Sequence, residues 1–224
     1  MANTFITKLN VVVWAGLLNY LFLIGYFMKE LYVVTHAESR HHVDNLVGGW
    51  YNSELTEQGL KDAEALGHRL QQWGAQKADI YSSDLKRAAQ TAERIAAAIN
   101  STVVLSPQLR EMSYGVAEGR PQQWLDERIV PVAENNRLDH AVIEGGETKR
   151  AFVSRIFNFL DNLTLADKTI ISTHAYAATF VIAWWIKMPL ESVGYVNFNI
   201  KSAKVSKLIE DDLFKNRTVA FLNG

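Results

Sequence analysis

The chain has no cysteine among its 224 residues, which excludes disulfides, thiolate metal sites and a cysteine nucleophile. It has almost no net charge either. At a formal −1 no global field recruits nucleic acid or an acidic membrane surface, so an anionic ligand has to be caught by a local cluster of positive groups. It has no internal repeat, no low-complexity segment and no sign of a second folded domain. What it does have is globular composition, 48% apolar and 21% charged, at a length that suits one ordinary domain with a substantial core.

Residues 1–28 stand apart. From Leu9 to Met28 runs a stretch without charge, flanked by Lys8 and Lys29. Twenty helical residues rise roughly 30 Å, about one hydrocarbon thickness, so length permits a membrane span. Trp14, Tyr20 and Tyr26 are compatible with a helix touching an interface. A secretory signal fits less well, since no Ala-x-Ala-like site follows. Only Lys29 and Glu30 separate the run from an apolar strand, which argues against a span. The expectation is therefore a membrane anchor or a mis-assigned start with translation from Met28, ahead of one domain at residues 29–224. The protein is expected to be cytoplasmic, or membrane-anchored if residues 9–28 insert.

Beyond Met28 short apolar runs alternate with amphipathic stretches, the pattern of a layered α/β domain. Strands are expected at 31–35, 79–82, 102–105 and 168–172. Thr56 is placed to cap a helix with Leu60, Ala63, Leu66, Gly67, Leu70 and Trp73 on one face. A second helix starts near Asp84, Thr148 caps a third, and a very apolar one runs from about Tyr176 to Lys187. Residues 108–146 read as irregular, with one short helix near 122–128. The end of the chain, from Val193 to Leu222, reads as further strands with a polar hairpin at 211–216.

His36 and His174 each follow a strand at its carboxyl end, the edge where ligands bind in open α/β sheets. An imidazole there can attack a phosphoryl group if it is neutral and its tautomer is held. An arginine such as Arg87 can grip phosphoryl oxygens through its planar fork, and a protonated carboxyl such as Glu111 can supply a proton to a leaving oxygen. His36, Glu38, His41 and His42 do not have the spacing of a helical zinc motif, so no metal is expected.

The run VVTHAESRHHVDNLVGGWYNSELTEQG (33–59) resembles the signature of the histidine phosphatase (phosphoglycerate mutase-like) superfamily. SSDLKRAAQTA (82–92), LREMSYGVAEG (109–119), EGGET (144–148) and STHA (172–175) continue the resemblance in family order. It implies a three-layer α/β/α sandwich on a mostly parallel sheet, and hydrolysis of a small phosphorylated substrate without metal or organic cofactor. It makes His36 the phosphorylated nucleophile, Glu111 the acid–base residue and His174 the second pocket histidine. Arg87 would bind phosphate, with Gly48 and Gly49 on a segment that approaches the substrate; Glu147 would have a structural or rim role.

The chain departs from the pattern at Thr35, where the family has arginine, and at Ala37 and Ala175, where it has glycine. Losing a buried charged donor costs on the order of 2–4 kcal/mol, hence roughly thirty- to a thousandfold in rate if nothing compensates. His42, at the position of a family asparagine and with Arg40 beside it, is expected to take over the contact, and Thr35 itself to lie on the substrate. Adjacent histidines point in different directions, so one of His41 and His42 at most is expected to reach the pocket. The alternatives are a phosphoglycerate mutase and a non-catalytic protein that binds phospholigands. About 25 residues between Gly119 and Gly145 resemble the compact phosphatases more than the longer mutases.

Overall fold

A computed structural model describes residues 28–132 and 134–224. The apolar run from Leu9 lies outside them except for Met28, and with it the choice between anchor and later start. Among the described residues no helix is long and apolar enough to cross a membrane.

The elements in chain order are β1 (Lys29–Thr35), α1 (Arg40–Val43), α2 (Glu57–Gln72), β2 (Asp79–Ser83), α3 (Lys86–Ile99), β3 (Val103–Ser106), α4 (Gln122–Asp126), α5 (Lys149–Asp161), β4 (Lys168–Thr173), α6 (Ala175–Trp185), β5 (Val205–Glu210) and β6 (Arg217–Phe221). β1 explains the layering. Its central residues Leu31–Val34 are apolar without alternation because both faces are covered. Leu31 and Val33 pack with Phe152, Ile156 and Phe180 of α5 and α6. Tyr32 and Val34 pack on the other face with Leu66 and Leu70 of α2 and Ile95 of α3. The result is the expected three-layer sandwich.

The sheet order is β3-β2-β4-β1-β5-β6. Neighbours among β1 to β4 pair in parallel, whereas β5 runs antiparallel to both β1 and β6. The hairpin joining β5 and β6 falls where its polar residues predict, with the Asp211 carboxylate accepting from the amides of Phe214 and Asn216. The register between β1 and β4 matters most. Thr35 lies opposite Thr173, so His36 and His174 leave the sheet side by side, and the His36 amide donates to Thr173 O at 2.9 Å.

The helix starts follow their caps. Thr56 Oγ1 accepts from the Gly59 amide at 3.0 Å, and Thr148 Oγ1 from the Ala151 amide at 3.2 Å. Helix α3 starts at Lys86 rather than Asp84, because the Asp84 carboxylate is taken by Nε of Arg110 at 2.7 Å and by its NH2 at 2.5 Å. Gly59 brings α2 against the turn that follows His36: a Cβ there would stand 2.0 Å from Glu38 O. Thr56 closes the same contact, its amide donating to Glu38 O and its hydroxyl to Glu38 Oε1 at 2.7 Å.

The irregular stretch has a small core of its own. Ala117, Leu125 and Ile143 close around Val47, which joins the stretch to the loop carrying Gly48 and Gly49. Gly119 N donates to Val47 O at 2.9 Å and Val47 N to Arg120 O at 2.8 Å.

Candidate active site

Four imidazoles meet at the carboxyl end of β1. The His36 ring lies 5.0 Å, centroid to centroid, from that of His174, which stands edge-on to it, and 5.3 Å from that of His42, which is stacked on it at 19°. His41 lies 6.2 Å from His36 and 4.2 Å from His42. Among the described residues no three His, Asp or Glu side chains are grouped to hold a metal ion.

His36 is held in one tautomer. Its Nδ1 lies 2.8 Å from Ala37 O, an acceptor only, so Nδ1 carries the proton. Nε2 keeps its lone pair and accepts from Arg87 Nε at 3.2 Å. Burial, then the Arg87 charge, hold the ring well below the ordinary imidazole pKa, so it is neutral at neutral pH. His174 is oriented by Ser83, whose hydroxyl is 2.9 Å from its Nε2. A hydroxyl donating there leaves the proton on Nδ1, a buried atom without a partner among the described residues. Burial, then Arg87, also keep His174 well below its ordinary pKa.

Arg87, on the first turn of α3, is 1% exposed. Besides His36 its guanidinium donates to Tyr51 O and Gly49 O, each at 2.7 Å. Burial lowers its pKa to about 10, against the opposing carboxylates of Glu111 and Glu118. Gly49 has φ +53°, and a Cβ there would stand 2.9 Å from Glu118 Oε1. That backbone state, rare for L side chains, is what turns its carbonyl toward Arg87.

Glu111 reaches the cluster from the irregular stretch. Oε1 accepts from the Met112 amide at 2.9 Å, and Oε2 from the Tyr176 amide at 3.1 Å, at the N-terminal turn of α6. Burial pushes its pKa above the usual carboxylate range, with those two amides and Arg87 pulling the other way. Its backbone is clamped: Trp50 Nε1 and Arg155 NH2 both donate to Glu111 O, at 2.8 and 2.7 Å. Arg155 also pairs with Glu147 at 2.9 Å, and Glu147 accepts from the Ser113 amide, so Glu147 holds the loop rather than the ligand. Sequence reading missed Arg155. A partly apolar helix face gives no hint that one arginine reaches across to the carbonyls of Gln108, Arg110 and Glu111.

The structure thus brings together His36, His174, Arg87, Glu111, His42 and the Gly48–Gly49 segment. It does not place Thr35 there. Its hydroxyl donates to Lys201 O, and the Lys204 amide donates to it at 3.3 Å, because the last residue of β1 faces the loop leading into β5. Arg40 is exposed beside Glu54 rather than turned inward. The expectation that one of His41 and His42 at most would reach the pocket is also corrected. Both sit on the single turn α1, where successive side chains diverge by only about 100°, and that turn lies against His36.

A neutral strand-end imidazole beside a buried arginine is an arrangement able to receive a phosphoryl group. The chain belongs to the histidine phosphatase superfamily (branch 1), whose family model matches residues 31–216. It is 30% identical over 173 residues to a Yersinia pestis (strain Pestoides F) protein described as probable phosphoglycerate mutase GpmB, covering 72% of this chain and 77% of that one. The alpha-ribazole phosphatase of Shigella flexneri superposes with a TM-score of 0.72 at 27% identity, covering 88% of this chain and 96% of the other. A mycobacterial glucosyl-3-phosphoglycerate phosphatase shares the fold, with a TM-score of 0.70 at 20% identity over 88% of this chain and 99% of that one.

Proposed function

We propose that the protein hydrolyses small phosphomonoesters through a phosphohistidine at His36. The observation that carries this is the neutral His36 ring, its proton held on Nδ1 by Ala37 O and its Nε2 lone pair beside Arg87. In the first step Nε2 attacks phosphorus, the P–O bond to the leaving group breaks, and Glu111 gives its proton to the departing oxygen. Arg87 and the Nδ1–H of His174 hold the phosphoryl oxygens, with His42 in place of the missing arginine. In the second step Glu111 takes a proton from water, the oxygen attacks phosphorus, and the P–N bond breaks to free inorganic phosphate. This chemistry needs neither a metal nor an organic cofactor, and the substrate is a small molecule rather than a nucleic acid.

The test is turnover of 32P-labelled p-nitrophenyl phosphate by the full chain, with an alkaline detergent quench to trap radiolabelled phosphoprotein. Turnover with acid-labile, base-stable label supports the reading. Binding of inorganic phosphate without turnover would favour the non-catalytic protein instead. The mutase reading draws on the Yersinia relative, and 3-phosphoglycerate distinguishes it: isomerisation in the presence of 2,3-bisphosphoglycerate supports a mutase, release of phosphate a phosphatase.

Glu111 predicts the pH dependence. Its acid form is the one that protonates the leaving oxygen, and burial extends that form above the usual carboxylate range. His36, held below its ordinary pKa, stays nucleophilic as pH falls. For an alkyl phosphate, kcat/KM is therefore expected to fall about tenfold per pH unit above the raised Glu111 pKa. Glu111→Gln should abolish that limb and lower kcat/KM by about 10²–10⁴, with a much smaller loss for p-nitrophenyl phosphate, whose leaving group needs no proton. Parallel pH–rate profiles for the two substrates check this.

A further inference from the structure

One guanidinium offsets one of the two negative charges of a phosphomonoester dianion. Among the described residues Arg87 is the only lysine or arginine hydrogen-bonded to a ring of the histidine cluster. The opposite wall is α1. His42 is exposed and stacked on His36, and His41 is buried beside it. Nδ1 of His41 lies 2.9 Å from Ser39 Oγ and 2.6 Å from Ser53 Oγ. A hydroxyl donating to Nδ1 leaves the proton on Nε2. That nitrogen has no hydrogen-bond partner among the described residues and is 2.8 Å from where a Cβ on Gly48 would stand, so any side chain at 48 would displace the ring.

We propose that His41 and His42 form the second half of the oxyanion site, and that His42 takes up a proton as the oxyanion binds. This rests on the phosphohydrolase reading of the same pocket and adds a proton to its binding step. The groups facing His42 are His36 from the end of β1, His41 and Ser39 at α1, Arg87 from α3 and Glu38 from the intervening turn. In the free protein burial, then Arg87, hold His42 below the ordinary imidazole pKa, with Glu38 opposing them. A dianion alongside reverses the local field and favours the charged ring. His41, held down to about 3 by burial and then by His42, stays neutral and donates from Nε2.

Linkage gives the consequence. Between the free and the bound pKa of His42, affinity falls about tenfold for each pH unit gained, because one proton is bound with each anion. An arginine in this place, charged throughout, would leave affinity flat over the same range.

The experiment is calorimetric titration of the full chain with sulfate, a dianion across the whole range, in buffers of differing ionisation enthalpy. Proton uptake with sulfate is expected, with Kd rising by up to about tenfold per pH unit between the free and the bound pKa of His42. His42→Asn, at an exposed position, should bind more weakly, with no proton uptake and a flat profile. His41→Asn should weaken binding while uptake persists. Sulfate bound without proton uptake, or with the same slope in His42→Asn, overturns this inference and leaves the phosphohydrolase reading standing. Unchanged affinity in His41→Asn removes His41 from the site, and no sulfate binding at any pH overturns both.

Discussion

His36→Ala is expected to lower turnover of any phosphomonoester by roughly 10⁴-fold or more and to abolish the trapped phosphoprotein. The reason is geometric. His36 is the ring whose unprotonated Nε2 accepts from Arg87 while its proton is held on Nδ1. His174 has the same tautomer, but its unprotonated Nε2 is held by Ser83 and the nitrogen left without a partner among the described residues is the protonated Nδ1, so it cannot replace the lost nucleophile without changing tautomer or partner. What survives in the variant is binding and charge stabilisation, which act on a water attack that the pocket does not position. Removing a buried ring also leaves a cavity, so thermal unfolding has to accompany the assay. A folded variant with no labelled protein and no turnover assigns the loss to chemistry. A folded variant that still accumulates acid-labile label would move the nucleophile elsewhere.

Arg87→Met is expected to cost about 10²–10⁴ in kcat/KM while leaving stability within about 1 kcal/mol of the parent, or above it. Burial lowers the Arg87 pKa to about 10, so holding the charge there works against folding. No carboxylate makes a salt bridge to it among the described residues; its partners are one imidazole and two carbonyls. On the proposed function such a charge serves the phosphoryl group it would bind rather than folding. Methionine fills similar volume without the desolvation penalty, although the Gly49 and Tyr51 carbonyls lose their donor, which offsets part of the gain. Arg87→Lys keeps a charge but cannot span His36, Gly49 and Tyr51 with one ammonium, so only partial recovery is expected. Denaturant unfolding beside steady-state kinetics checks both halves; a variant that loses stability and activity together would show that the arginine is structural.

The departure at Thr35 gains its meaning from these neighbours. A threonine at the end of β1 turns its hydroxyl to Lys201 and Lys204 and, on the proposed function, leaves Arg87 as the guanidinium that meets the phosphoryl group. The same turn of chain then brings two histidines against His36, which a family-like asparagine at position 42 would not do.

Much of this protein is determined by local sequence. Apolar runs such as 31–35 and 168–172 specify strands covered on both faces, and Thr56 and Thr148 start their helices as the caps require. The order of five short motifs places His36, Arg87, Glu111 and His174 in one family of folds before any distance is known. Those readings succeed because backbone preference, capping and hydrophobic period act within a few residues of chain. The tertiary structure alone decided the rest. The register pairing Thr35 with Thr173, the reach of Arg155 to the carbonyl of Glu111, the diversion of Asp84 to Arg110 and the meeting of His41 with His42 beside His36 all depend on partners distant in sequence, or on the exact placing of one helical turn. Such contacts are set by how layers pack and strands register, and no spacing along the chain carries that information.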